Sequence, residues 1–145
     1  MSTIAEIGRA GAPALHKLYD AKPDQYFSGA RYDFLAALPD NPKGRVLEIG
    51  CGNGDTGAIA LSGKRAGWYA GVDISAVAAE KARRVLNEVH VADIESLVLP
   101  WAPRSIDAVV LSEVLEHLID PWSVVRRLSD LLVPGGIMLA SSPNV

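Results

Sequence analysis

Hydrophobic positions along the chain form two patterns, short continuous runs and helical spacings, which follow one another in turn. Five runs are rich in apolar and β-branched residues, as expected of strands buried on both faces. They are RVLEI at 45–49, WYAGV at 68–72, VHVAD at 89–93, DAVVL at 107–111 and IMLAS at 137–141. Strands of this kind with helices between them predict an α/β fold, a doubly wound and mostly parallel sheet with helices on both faces.

Three other segments carry apolar residues three or four apart, the spacing of one helical face. The three stripes are Phe27, Phe34, Leu35 and Leu38; Ala78, Ala82, Val85 and Leu86; and Val124, Leu128, Leu131 and Leu132. Arg31 falls on the face of the first stripe, and Ser75 is placed to cap the second. The third helix is predicted to begin after Pro121 and to end at the Pro-Gly-Gly of 134–136.

Composition restricts both the number of domains and the class of protein. A chain of 145 residues that is 49% hydrophobic is long enough for one domain with a core and too short for two. Gly11, Pro13 and Pro23 interrupt the first 24 residues, so we expect an N-terminal arm over 1–24 and a single domain over 25–145.

The net charge and the number of cysteines indicate which binding partners and which cellular location to expect. The 14 basic and 17 acidic residues give a net charge of −3, which provides no basic surface for nucleic acid. The single cysteine, Cys51, excludes an intrachain disulfide. No secretory signal pattern and no bilayer-length apolar run occur in the sequence, so we predict a cytoplasmic protein without a membrane span.

The segment VLEIGCGNGDTG, residues 46–57, leads from a predicted strand into a predicted helix through a glycine-rich turn. Glycines at such a turn let a ligand approach the backbone at a helix N-terminus. The same glycines are also compatible with a tight crossover that binds nothing. Gly52 to Gly57 match the dinucleotide pattern GxGxxG, with Asp73 about 20 residues further on, so an NAD-type oxidoreductase is one interpretation.

VLEIGCGNG also resembles motif I of class I S-adenosylmethionine (SAM) dependent methyltransferases, whose fold is Rossmann-like. Two further segments agree with this resemblance, GVDIS at 71–75 and VADIES at 91–96. The resemblance implies that Asp73 binds the ribose hydroxyls of SAM and that Asp93 meets the adenine amino group. It also implies a cofactor-binding role for the residues beside these acids and in the turn: Glu48, Gly50, Cys51, Gly52, Ile74 and Ile94.

Two more residues gain a role from the resemblance to ubiquinone-biosynthesis O-methyltransferases. An arginine upstream of motif I reaches the methionine carboxylate in that group, and RYDFL at 31–35 resembles that element, so Arg31 is a candidate anchor. The alternative is an arginine that only packs or forms an ion pair. Ser112 falls where relatives offer backbone to the methionine amino group, although it could also cap a turn at Glu113.

EVLEH at 113–117 places Glu113, Glu116 and His117 at i, i+3 and i+4, which is one face if the segment is an α-helix. It resembles the metal-binding ExxEH element of ubiquinone-biosynthesis O-methyltransferases and small-RNA 2′-O-methyltransferases. The resemblance implies a Mg²⁺ site, or else His117 as a catalytic base. Many relatives carry a similar turn without a metal, so this alternative stays open.

The residues after the fourth predicted strand are Leu111-Ser112-Glu113-Val114, unlike the Asn-Pro-Pro-Tyr-like tetrad of adenine and glutamine methyltransferases. The stretch resembles methyltransferases of small molecules, which implies methyl transfer to an oxygen or nitrogen acceptor. A non-catalytic SAM-binding module is the further alternative.

The resemblance also implies a seven-stranded sheet in the order 3-2-1-4-5-7-6, of which only five strands are predicted here. The last predicted strand, 137–141, would then lie at an edge and expose unpaired backbone groups. We therefore expect either self-association through this edge or a monomer whose N-terminal arm covers it. We also expect weak activity, because the last two strands normally help to build the acceptor pocket.

Overall fold

The computed structural model describes residues 29–143, and it contains a five-stranded sheet in the order β3-β2-β1-β4-β5 with every neighbouring pair parallel. The strands are β1 (Arg45–Ile49), β2 (Trp68–Asp73), β3 (Glu88–Val91), β4 (Ile106–Ser112) and β5 (Leu132–Ser141). The helices are α1 (Tyr32–Ala37), α2 (Asp55–Ser62), α3 (Ala76–Ala82) and α4 (Pro121–Ser129), with a 3₁₀ turn at Leu115–His117. The predicted arm at 1–24 and Phe27 lie outside the described residues.

Alternate residues of the central strands enter two separate hydrophobic clusters, one on each face of the sheet. The first cluster includes Leu35 of α1, Val46, Tyr69, Ala82 of α3 and Val110. The second cluster includes Leu47, Val72, Ile94, Trp101, Val109 and Leu128 of α4. Helices therefore cover both faces, and the predicted doubly wound α/β architecture is confirmed. Trp101 is buried in the second cluster and packs there.

The ends of the helices differ from the predictions. Helix α1 begins at Tyr32, so Arg31 stands at its N-cap, with its guanidinium over the ring of Phe34 on the predicted apolar face, 4.3 Å from the ring centroid. Helix α3 is capped by Ser75, as predicted, but it ends at Ala82. The following turn leaves Val85 43% exposed, although Leu86 is buried as expected.

Helix α4 was predicted to reach the Pro-Gly-Gly at 134–136, but it ends at Ser129. The reason lies in the sheet, because the backbone N–H groups of Ser105 and Ile106 both donate to the carbonyl oxygen of Leu131. Because of these bonds, the chain pairs with β4 from Leu132 onward and continues as β5. The Pro-Gly-Gly lies within β5, where the register opposite β4 is irregular. The predicted fifth strand at 137–141 lies within β5 and is confirmed.

None of the helices within residues 29–143 is long and apolar enough to cross a membrane.

Candidate functional site

The glycine-rich turn joins β1 to α2 at the carboxyl end of the sheet, and it needs glycine for backbone reasons. Gly50, Gly52 and Gly54 have φ angles of +79°, +55° and +86°, in the left-handed region that L side chains rarely adopt. Space is also limited, because a Cβ atom at Gly50 would lie 2.7 Å from the Cγ2 atom of Val114 and 3.2 Å from the carbonyl oxygen of Ser112. The turn thus brings the ends of β1 and β4 into contact.

Asp73 ends β2, and its carboxylate is fixed against the same turn. One oxygen, Oδ2, accepts a hydrogen bond of 2.8 Å from the backbone N–H of Gly52. The other, Oδ1, accepts one of 2.9 Å from the backbone N–H of Ser75. Only 8% of the residue is exposed. Two of the predicted site residues, Gly52 and Asp73, are therefore in direct contact.

Glu48 lies in β1, just before the turn, and its carboxyl group is buried with 2% of the residue exposed. The hydroxyl of Tyr69 donates to Oε1 and the hydroxyl of Ser112 donates to Oε2, both at 2.8 Å. Burial raises the pKa of Glu48 from its ordinary value of 4.5 to about 7, although both hydrogen bonds act in the opposite direction. The sequence indicated Glu48 by its motif, but no sequence signal identified Tyr69 as its partner.

Cys51 lies within the turn and is buried against β2. A Cβ atom at Gly71 would lie only 2.5 Å from its sulfur, so the thiol fills the space above that glycine. Burial, together with the charges of Asp73 and Glu48, raises the pKa of the Cys51 thiol well above its ordinary value. A thiol of this kind stays protonated at neutral pH, which agrees with a packing role and not with a nucleophile.

Arg31 makes contacts that connect α1 to the end of β5. Its Nη1 atom donates to the Oγ atom of Ser141 at 3.0 Å, and its Nε and Nη2 atoms both donate to the carboxylate of Asp33, at 3.0 and 2.7 Å. The hydrogen-bonded Asp33 is the main reason why the pKa of Arg31 is raised. Arg31 therefore forms an ion pair with Asp33, and its role as a ligand anchor stays a prediction.

Ser141 is a second residue that the sequence did not indicate. Its Oγ atom accepts from the Arg31 guanidinium and also, at 3.2 Å, from the backbone N–H of Glu113. It thereby ties β5 to the segment after β4, across 28 residues of sequence. The neighbouring Ser112 uses its hydroxyl on Glu48 and does not cap the turn at Glu113.

Asp93 lies just beyond β3 at the start of a tight turn. Its Oδ1 atom accepts from the backbone N–H of Glu95 at 2.9 Å, and its carbonyl oxygen accepts from the backbone N–H of Leu97 at 2.9 Å. The side chain of Ile94 is 5% exposed and packs into the second cluster, whereas Ile74 is half-buried. Of the two isoleucines, Ile74 therefore has more side-chain surface available to a ligand.

The predicted acidic face at 113–117 does not form, because the segment is not an α-helix. Glu113 has a φ angle of +52° and is exposed, and a 3₁₀ turn covers only Leu115–His117. Glu116 and His117 are close, with 3.6 Å between Oε1 and Nε2. Among residues 29–143 no group of three or more His, Cys, Asp or Glu side chains could hold a metal ion, so the predicted Mg²⁺ site is not supported.

Known proteins resemble this chain both in sequence and in fold. The ubiquinone biosynthesis O-methyltransferase of Xanthomonas campestris pv. campestris is 33% identical over 130 residues, 85% of this chain and 53% of that protein. The protein of the same name from Neisseria meningitidis serogroup C is 32% identical over 120 residues, 79% of this chain and 50% of that protein. Among solved structures, an S-adenosylmethionine dependent methyltransferase from Mesorhizobium loti has a TM-score of 0.66 at 26% identity, covering 77% of this chain and 51% of that one.

The chain spans about half the length of the curated relatives it matches. A family model for the methyltransferase domain matches residues 21–145, which include every element of the sheet and the whole site described above. On this match, and on the relatives above 30% identity, the chain belongs to the methyltransferase domain family.

Proposed function

We propose that this chain binds SAM at the carboxyl end of its sheet and forms the cofactor-binding part of an enzyme that methylates a small molecule on oxygen or nitrogen. The observation that carries the proposal is the fixed carboxylate of Asp73. Two backbone N–H groups, from Gly52 and Ser75, orient it beside the glycine turn. Each carboxylate oxygen can accept more than one hydrogen bond, so a vicinal diol is a suitable ligand for it.

The chemistry of the surrounding residues fits the rest of SAM. Asp93 would accept from the adenine amino group, with Ile74 as the apolar neighbour of the base. At the other end, the Ser112 carbonyl faces the turn at Gly50 and would accept from the methionine ammonium. Arg31 would donate to the methionine carboxylate.

The donor count of Arg31 is compatible with this role. A guanidinium has five N–H groups, and the described contacts of Arg31 use one on Nε, one on Nη1 and one on Nη2. One N–H therefore remains on each terminal nitrogen, so the guanidinium keeps donors for a ligand carboxylate. Asp33 and Ser141 would hold the guanidinium while the ligand binds.

When bound, SAM supplies a methyl group on a sulfonium, which moves to the acceptor by in-line displacement as the carbon–sulfur bond breaks. The protein's contribution to such a step is mainly alignment and the exclusion of water, and a base is needed only where the acceptor must lose a proton. His117, beside Glu116 at the carboxyl end of β4, is the candidate base. The turn that carries it follows the strand whose end faces the cofactor turn.

The names of the relatives support an oxygen acceptor, because those at 32–33% identity are named O-methyltransferases of ubiquinone biosynthesis. Phenols and catechols are therefore the first acceptors to test, followed by primary amines. The protein would be incubated with SAM that carries an isotopically labelled methyl group, and the label would be followed into the small molecules. Label in a phenolic product supports the proposal, whereas cofactor binding without any labelled product would favour a non-catalytic SAM-binding module.

The predicted partners and location also stay proposals. The free edge of β5 pairs with no other strand within residues 29–143, so we propose that it mediates self-association of this chain. A cytoplasmic location is proposed from the single cysteine.

A further inference from the structure

Arg127 of α4 contacts the turn that follows Asp93. Its Nη1 atom donates to the carbonyl oxygen of Ile94 at 3.0 Å and, more weakly, to that of Glu95 at 3.5 Å. Its Nη2 atom donates to the carbonyl oxygen of Leu97. One guanidinium thus holds three backbone carbonyls of residues 94–97, across 30 to 33 residues of sequence.

The three carbonyl groups need a planar donor with N–H groups on two nitrogens, which a guanidinium provides. Their negative ends converge on one half-buried point, so without a cation they would repel one another and lose hydrogen bonds that water cannot fully replace. The planar fork of arginine places donors on two nitrogens at once, which the single ammonium of lysine cannot do. Arg127 therefore fixes the course of the backbone through residues 94–97.

The same turn sets the position of the Asp93 carboxylate. Oδ1 of Asp93 accepts from the N–H of Glu95, and the Asp93 carbonyl accepts from the N–H of Leu97. Both donors belong to residues whose carbonyls Arg127 holds. A second contact from the start of α4, the Asp120 N–H to Oε1 of Glu95 at 2.8 Å, supports the same turn. A shift of the turn would therefore move the carboxylate.

We propose that Arg127 is a positioning residue for the adenine end of the cofactor site: it selects a 6-amino purine by holding Asp93 in place, without touching the ligand. The proposal rests on the proposed SAM-binding function. A carboxylate accepts a hydrogen bond from a 6-amino group but repels a 6-oxo group, so selectivity between the two bases reports on where the Asp93 carboxylate lies.

The test measures the affinity of the full chain for S-adenosylhomocysteine and for S-inosylhomocysteine, which has a 6-oxo purine. We expect the unmodified chain to prefer the 6-amino ligand by at least about tenfold, the scale of one hydrogen bond to a charged group. Arg127→Ala should reduce this preference to within about threefold. Arg126→Ala is the matched control, because Arg126 is the exposed neighbour on the same helix, and it should keep the full preference.

Arg127→Lys keeps the positive charge but has only one donor nitrogen, and it is the variant to test if Arg127→Ala does not fold. It should lose part of the preference, and hydrogen exchange at the Glu95 and Leu97 amides should become faster in either variant. An equal loss of affinity for both ligands, or a full preference in a folded Arg127 variant, would overturn the inference. If the unmodified chain binds neither ligand, the proposed function itself fails.

Discussion

The buried carboxyl group of Glu48 makes the stability of the protein depend on pH in a direction that can be calculated. Its pKa rises from 4.5 to about 7 on folding, mainly because of burial. The folded state therefore favours the protonated form. The free energy of unfolding is therefore highest below about pH 4.5, and it falls as the pH rises to about 7. Glu48→Gln, a neutral side chain of the same shape, should remove this dependence.

The size of the effect follows from the shift. One pKa unit corresponds to about 1.4 kcal/mol, so the whole shift corresponds to about 3 kcal/mol of unfolding free energy lost at pH 8. The amide of glutamine must still bond the hydroxyls of Tyr69 and Ser112, and less favourable geometry could cost about 1 kcal/mol. We therefore expect Glu48→Gln to be more stable than the unmodified chain by about 2 kcal/mol at pH 8, with no such gain at pH 5.

The assay is urea unfolding at pH 5, 6, 7 and 8, compared at each pH between the two chains. Glu80→Gln is the control, because it removes one negative charge from an exposed side chain of α3. Tyr69→Phe removes a hydrogen bond that favours the charged form, so it should steepen the loss of stability with pH. If Glu48→Gln is destabilised equally at every pH, the carboxyl group is ionised in the folded state and the argument from burial is refuted.

Three further predictions concern the turn and the sheet edge. Asp73→Ala should weaken S-adenosylhomocysteine binding by about 1.5 to 3 kcal/mol, as calorimetry would measure, because charge-assisted hydrogen bonds to a diol are lost; unchanged affinity in a folded variant would remove Asp73 from the site. Gly52→Val should abolish this binding, because its φ of +55° strains a branched side chain; normal binding would contradict the loop geometry. Ala140→Lys, a charge at an exposed position of β5, should reduce the mass seen by light scattering if the chain self-associates there; a mass that does not change would exclude that edge.

The strands were predictable and the contacts within the site were not. Apolar runs such as DAVVL identify a strand that is buried on both faces without any knowledge of its neighbours. Asp73 could be placed at the end of β2 for the same reason. Glu48 shows the limit, because its partners Tyr69 and Ser112 lie 21 and 64 residues away in sequence. Only the pairing of β1 with β2 and β4 brings them together.

The predicted helices were locally wrong where pairing in the sheet, or the backbone angle of one residue, prevented a helix despite helical spacing of the side chains. Leu131 continues the apolar stripe of α4, yet its carbonyl bonds to the start of β4 and the helix ends before it. Glu113 has the spacing of a helical metal site, but its left-handed backbone excludes the helix that this site required. Residue spacing predicts which side chains would share a face only when the segment has the assumed secondary structure.

The central claim, that this chain binds SAM through the carboxyl end of its sheet, is tested most directly by calorimetric titration with S-adenosylhomocysteine and, separately, with NAD. The glycine turn alone fits both cofactors, whereas the acid after β3 and the arginine before β1 are assigned by the resemblance to SAM-dependent methyltransferases. We expect saturable binding of S-adenosylhomocysteine at one site per chain and no binding of NAD. Binding of NAD with no response to S-adenosylhomocysteine would contradict the account.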